Sequence, residues 1–212
     1  GPCVTAADPP AASPGDPTLV ELVADDVPGQ HQLGPVVERF DEWVDRALDR
    51  IRGNPVADRV FTTASFVGDF SLIWHSIAIT RGIARRKPRE ILVFAAMLGA
   101  ESLIVNQGIK RLFKRTRPTT AGGAGLHVRH PSTSSFPSGH ASSAAFASTL
   151  LAAHSSRRLA ALWYVLASIV GTSRAYVRIH HASDVVAGFV TGRALAWVAR
   201  RGLRRFGIDR LL

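Results

Sequence analysis

From Asn54-Pro55 onward the chain consists of long apolar runs separated by short basic segments, and no other feature restricts its fold as much. The runs cover residues 60–80, 91–109, 140–153, 159–177 and 185–198. The first two approach the roughly 20 residues that cross a hydrocarbon core. None alternates with period two as a half-buried strand does, and no repeat of fixed period is present. The expectation is an all-α fold: a helical bundle of five transmembrane helices, with one further helix before them.

That further helix is amphipathic. In residues 36–51, Val36, Val37, Phe40, Trp43, Val44, Ala47, Leu48 and Ile51 recur at steps of three and four, while Glu38, Asp41, Glu42, Asp45 and Asp49 fill much of the other face. So many charges forbid a span, and packing against the bundle is the expected role. Residues 1–35, rich in Pro, Ala, Asp and Gly, cannot bury enough apolar surface to offset their ordering entropy, so they read as a flexible acidic tail. Residues 36–212 then form one helical domain. Its lone cysteine, Cys3, excludes an intrachain disulfide and any zinc site needing two thiolates.

Charge is divided unequally. The chain carries a formal +10, but residues 1–58 hold a net −7 and residues 59–212 a net +17. A basic body of this kind suits an anionic partner: nucleic acid, phospholipid or a phosphorylated substrate. Its arginines cluster at helix ends beside apolar runs rather than along one exposed face, which argues for no nucleic acid.

Three polar clusters interrupt the apolar chain. In the first, Lys110, Lys114 and Arg117 share one helical face if the second long helix continues to Pro118. The second is Pro137-Ser138-Gly139-His140 at the start of the run that follows, where free backbone N–H groups, a Ser hydroxyl and the helix dipole favour an anion. The third runs from Ser173-Arg174 to His180 and Asp184. Four residues apart, on one helical turn, the Asp184 carboxylate can hold one nitrogen of His180 and leave the other as a nucleophile or base. The bland alternatives are a flank of basic residues, a helix cap and a surface histidine; a metal site built from His127, His130, His180 and His181 is another.

Helix order favours convergence. In an up-and-down bundle the termini carrying these clusters face one side. One pocket then combines Lys110, Arg117 and Arg174 as cations with Ser138, Gly139 and two imidazoles, which suits a tetrahedral dianion. No acidic cluster for a metal ion is visible, so no metal and no cofactor is expected.

These residues resemble a known signature: Lys110-x6-Arg117-Pro118, then Pro137-Ser138-Gly139-His140, then Ser173-Arg174-x5-His180-x3-Asp184. It is that of the type-2 phosphatidic acid phosphatase superfamily, which includes lipid phosphatases, soluble acid phosphatases and vanadium haloperoxidases. The resemblance covers roughly residues 60–200. It implies a metal-independent phosphatase in which His180 attacks phosphorus, Asp184 fixes its tautomer, and His140 protonates the leaving alkoxide and then deprotonates water. Lys110, Arg117, Ser138, Gly139 and Arg174 would bind the phosphoryl oxygens.

The opposite side of such a bundle receives Arg81, Arg85, Arg86, Lys87, Arg89, Arg157, Arg158, Arg200, Arg201, Arg204, Arg205 and Arg210, against Glu90 and Asp209. Under the positive-inside rule that side is cytoplasmic and the pocket opens to the extracytoplasmic side of a cell membrane. The expected partner is therefore a phosphorylated lipid: a polyprenyl phosphate or diphosphate, or a phosphatidate-like molecule. Asp69, His75, Glu101, Asn106 and Gln107 lie within the first two spans and must face the bundle interior. A soluble broad-specificity acid phosphatase and a non-catalytic anion-binding bundle are the competing readings.

Overall fold

The computed structural model describes residues 33–118 and 134–207. Within them regular structure is helical, as expected. Helix α1 is Pro35–Asp49, α2 is Pro55–Gly68, α3 is Leu72–Ala84 and α4 is Pro88–Leu103. Helices α5 (Gly139–Ala153), α6 (Arg157–Tyr176) and α7 (Ala182–Arg205) follow within the described residues. Proline opens α1, α2 and α4, where its missing N–H costs nothing. Asn54 caps α2 by accepting from the amides of Val56 and Ala57, at 3.0 and 3.2 Å.

The first apolar run is not one helix. It breaks at Asp69–Ser71, where Phe70 (φ 52°) and Ser71 (φ 58°) both take left-handed backbone. The second run extends α4 through a π turn at Ile104–Gly108 and a 3₁₀ turn at Ile109–Leu112. Phe113 is then extended, so the helix does not reach Pro118 and the expected stripe does not form. Lys110 is buried while Lys114 is exposed, because the intervening residues turn instead of completing a helix. Among the described residues, one continuous helical stretch, Pro88–Leu112, is long and apolar enough to cross a bilayer.

Helix α5 is the centre of the bundle. Its residues from Ala141 to Leu151 are buried all round, which suits a segment made of Ala, Ser, Phe, Thr and Leu with no polar face. Small residues also let α7 approach it closely. A Cβ at Gly192 would lie 2.0 Å from the Ser142 carbonyl oxygen, and one at Gly188 would lie 2.5 Å from that of Ser138. Only glycine permits this contact. The core continues through Trp74, Phe94, Leu98, Leu150 and Val170.

Helix α1 packs over the ends of α6 and α7. Leu48 meets Tyr176, Val177 and Ile179, and Tyr176 stacks on Phe61 with centroids 4.4 Å apart. Arg52 donates to the carbonyls of Tyr176 (2.9 Å) and Ala175 (3.0 Å) at the end of α6. The expected packing role of this helix is observed. The acidic tail, residues 1–32, lies outside the described residues.

Candidate active site

Four chain segments end at one cavity of about 420 Å³. Its lining includes Lys110 from the end of the α4 extension, Arg117 from the non-helical segment after it, Gly139 and His140 from the start of α5, Arg174 from the end of α6, and His180 from the α6–α7 turn. The three clusters therefore meet, because α5 is antiparallel to α4 and α6, whose ends lie at its start, and the Gly188/Gly192 contact pins α7 parallel to α5 with the two helix starts side by side. A backbone bond from the Ser138 amide to the Asp184 carbonyl, 2.9 Å, joins those two helix beginnings.

His180 is not on a helix. Arg178 (φ 55°) turns the chain after α6, and the amides of Ile179 and His180 both donate to the Arg174 carbonyl at 3.1 Å. Asp184 sits in the first turn of α7, where Oδ2 accepts from the His181 amide at 2.9 Å. That turn, rather than one shared helical turn, brings the carboxylate back to His180. Oδ2 lies 3.6 Å from His180 Nδ1, longer than a hydrogen bond and within the range that apo dyads show before substrate tightens them.

The other ring nitrogen is just as informative. His180 Nε2 is 3.1 Å from Arg117 Nη1, and a guanidinium can only donate. Nε2 therefore carries the lone pair and Nδ1 carries the proton that faces Asp184. Burial pushes the His180 ring down to about 3, the neighbouring Arg117 charge pushes the same way, and Asp184 opposes them. The ring is neutral near pH 7 and its free electron pair points at the cationic side of the cavity.

Arg174 is almost fully buried and donates to the Ser65 hydroxyl and, at 3.4 Å, to the Ser65 carbonyl. Arg117 also donates to the Ile179 carbonyl at 2.8 Å. Neutral acceptors thus hold both guanidiniums in place, and Arg174 in addition lies 3.8 Å from the Asp69 carboxylate. Ser138 is fully buried and accepts from the Ala141 amide at 3.4 Å as the cap of α5; Gly139 is the residue of that pair that lines the cavity.

Several polar residues belong to the site without any motif marking them. Arg115 lies inside the basic run, yet it points away from the cavity. It joins Asp184 Oδ1 and Asp41 Oδ2, each at 2.6 Å, with all three side chains buried. Asp41 also accepts from the Ser183 amide and hydroxyl at 2.7 Å. The acidic first helix is therefore wired to the carboxylate behind His180. A weak sequence signal existed: Asp41 lies between Phe40 and Trp43 on the border of the apolar face. Asp69 Oδ1 sits 2.8 Å from His140 Nε2. Glu101 faces inward and accepts from Ser142, while Asn106 and His75 line the cavity. Gln107 does not face inward; it is exposed and bonds Arg111 at 2.7 Å.

Of the metal alternative, His127 and His130 lie outside the described residues. Among the described residues no cluster of three or more His, Cys, Asp or Glu has a metal-binding arrangement.

Comparison with known proteins agrees with this geometry. The model of the PAP2 superfamily matches residues 90–207. Phosphatidylglycerophosphatase B of Bacillus subtilis is 29% identical over 176 residues, 77% of this chain and 83% of that protein. Decaprenylphosphoryl-5-phosphoribose phosphatase of Mycobacterium tuberculosis is 32% identical over 130 residues, 60% of this chain and 70% of that one. Among solved structures, the transmembrane PAP2-type phosphatidylglycerolphosphate phosphatase of Bacillus subtilis superposes with a TM-score of 0.66 at 25% identity, covering 88% of this chain and 92% of that one. LpxE of Aquifex aeolicus shares the fold, with a TM-score of 0.60 at 21% identity over 74% and 93% of the two chains.

Proposed function

The chain belongs to the PAP2 superfamily and is a phosphoric ester hydrolase, and from that premise we propose that it hydrolyses a lipid phosphate or diphosphate through a phosphohistidine on His180, without a metal ion. One observation carries this reading: a single cavity holds His140, a neutral His180 and the cations Lys110, Arg117 and Arg174.

The steps follow from charge and reach. The phosphoryl group enters with its oxygens toward Lys110, Arg117, Arg174 and the Gly139 amide. Arg117 exchanges its bond to His180 Nε2 for one to a phosphoryl oxygen, and this frees the lone pair as phosphorus arrives. Nε2 attacks, the growing positive charge on the ring is balanced by Asp184, and His140 gives a proton to the leaving alkoxide. Water then attacks phosphorus as His140 takes its proton, and phosphate leaves. Fixed cations stabilise the spread of charge over the equatorial oxygens in both steps.

A lipid substrate is supported by the substrates for which the two curated relatives are named and by the apolar outer surface, where Leu92, Leu103, Leu162, Val165, Val190 and Trp197 are exposed. Multi-pass embedding accounts for that surface. The basic end opposite the cavity, including Arg85, Lys87, Arg157, Arg200 and Arg204, then faces the cytoplasm and the cavity opens to the extracytoplasmic side. Arg210 lies outside the described residues. Polyprenyl phosphates or diphosphates and phosphatidate-like lipids are the proposed substrates.

The test is phosphate release by the detergent-purified protein from a panel of lipid and soluble phosphates in EDTA. Lipid substrates should turn over, with His180→Ala inactive. Turnover by His180→Ala rejects the nucleophile, a strict metal requirement rejects the metal-free mechanism, and equal rates on lipid and soluble esters favour the broad-specificity alternative.

A further inference from the structure

Asp69 lies outside all three motif segments, yet its Oδ1 is 2.8 Å from His140 Nε2 and 3.8 Å from Arg174 Nη1. The two imidazoles of the cavity are unequal in what their own segments supply. His180 has a carboxylate four positions on, whereas the segment around His140 contains none. A carboxylate reaches His140 from a different helix, 71 positions earlier.

The local backbone is shaped around that contact. Asp69 is the residue at which the first apolar run breaks, and the next two residues, Phe70 and Ser71, both hold left-handed backbone although neither is glycine. Such conformations persist where the surroundings enforce them, and they concentrate at functional sites. On the preceding side, a Cβ at Gly68 would lie 2.9 Å from both His140 Cδ2 and Val170 Cγ1. The edge of the imidazole therefore packs directly on the Gly68 backbone, which fixes the ring plane. A straight helix through residues 68–71 would supply neither the packing nor the carboxylate.

Resting on the phosphohistidine reading above, we propose that Asp69 is the positioning residue of the general acid: it holds His140 by Nε2, turns Nδ1 to the leaving oxygen, and favours the protonated ring from which the alkoxide takes its proton. The need is electrostatic. Burial disfavours an imidazolium at His140, and the Arg174 and Lys110 charges that line the cavity act the same way. Asp69 opposes them in part. In the first step the His180 Nε2–P bond forms, the P–O bond to the alcohol breaks, and the Nδ1 proton of His140 passes to the alkoxide. His140 remains a neutral ring whose Nε2–H still bonds Asp69. In the second step Nδ1 takes a proton from water as its oxygen bonds phosphorus and the N–P bond breaks, so His140 regains the imidazolium.

Leaving-group dependence separates this role from a structural one. An alkoxide needs a proton to depart, whereas a nitrophenolate leaves without one. Asp69→Asn keeps an acceptor of similar shape and removes the charge. The measurement is kcat/KM, which ends with departure of the alcohol, for phosphatidate and for a nitrophenyl phosphate, with the thermal midpoint in detergent showing that the variant is folded. We expect a loss of about 100-fold or more on phosphatidate and less than about threefold on the nitrophenyl ester. Equal losses on both substrates, or no loss on either, overturn the assignment. Should Asp69→Asn not fold, Asp69→Ser is read in the same way. His180→Ala serves as the separate control: its inactivity on both esters upholds the underlying mechanism, and its turnover overturns that mechanism and the Asp69 assignment together.

Discussion

At the residue scale the site depends on which atom of each imidazole is already engaged. Arg117 donates to Nε2 of His180 and Asp184 faces Nδ1 at 3.6 Å, so the tautomer with the proton on Nδ1 is favoured before substrate arrives. Asp184 is itself set by Arg115 and, through it, by Asp41. Asp41→Ala leaves the buried Arg115 charge with one carboxylate and should lower stability by about 3 kcal/mol; thermal unfolding in detergent checks this, with a larger fall in kcat than in 1/KM because Asp41 touches no substrate. The low His180 value also has a sign. The ring is neutral in the folded protein down to about pH 3 but protonates near 6.5 when unfolded, so unfolding takes up a proton in that window and stability falls as pH drops through it. His180→Asn should flatten the dependence of the melting midpoint on pH between about 6.5 and 3, and an unchanged slope would contradict the buried neutral ring. The motif residues were legible because their spacing is fixed by helix ends. The pairing of Arg115 with Asp41 and Asp184 was not, since a buried ion pair between residues 74 or 69 positions apart leaves no local pattern in the chain, and Asp69 was legible as an inward-facing residue but not as the partner of His140, 71 positions on.

At the element scale, helix positions were legible from the apolar runs and from prolines and capping residues at their starts. The breaks were not. Run 60–80 keeps its apolar composition straight through Asp69–Ser71, so periodicity cannot show that two left-handed residues divide it. Likewise nothing in Lys110–Arg117 signals that the π and 3₁₀ turns end the helix early, which is what sends Lys110 inward and Lys114 outward. Helix contact through Gly188 and Gly192 is the element on which convergence depends. A side chain at Gly192 meets backbone, which cannot swing aside. Gly192→Val should cost about 3 kcal/mol or more, the upper end of overpacking penalties, and should lower both the melting midpoint and activity. A variant that melts with the parent would show that α5 and α7 do not touch there.

At the scale of the whole molecule, the acidic helix α1 is joined to the basic body by ion pairs. Asp41, Asp45 and Asp49 of α1 pair with Arg115, Arg52 and Arg178, which fastens the cavity end of the bundle, while at the far end Glu90 is the acidic partner of Arg85 and Lys87. The proposed orientation rests on the excess of basic residues at that far end. With cysteines placed one at a time in a Cys3→Ser background, Glu42→Cys should react with an impermeant maleimide in intact cells and Arg157→Cys only after lysis; the reverse pattern would invert the proposed topology. The central claim is chemical, however, and is tested most directly by covalent trapping. Rapid quenching of the protein with ³²P-labelled lipid phosphate, under alkaline conditions that preserve phosphohistidine, should give label on the peptide carrying His180 in the parent and none in His180→Ala. Label on another residue, or turnover with no labelled protein at any time point, would contradict the account.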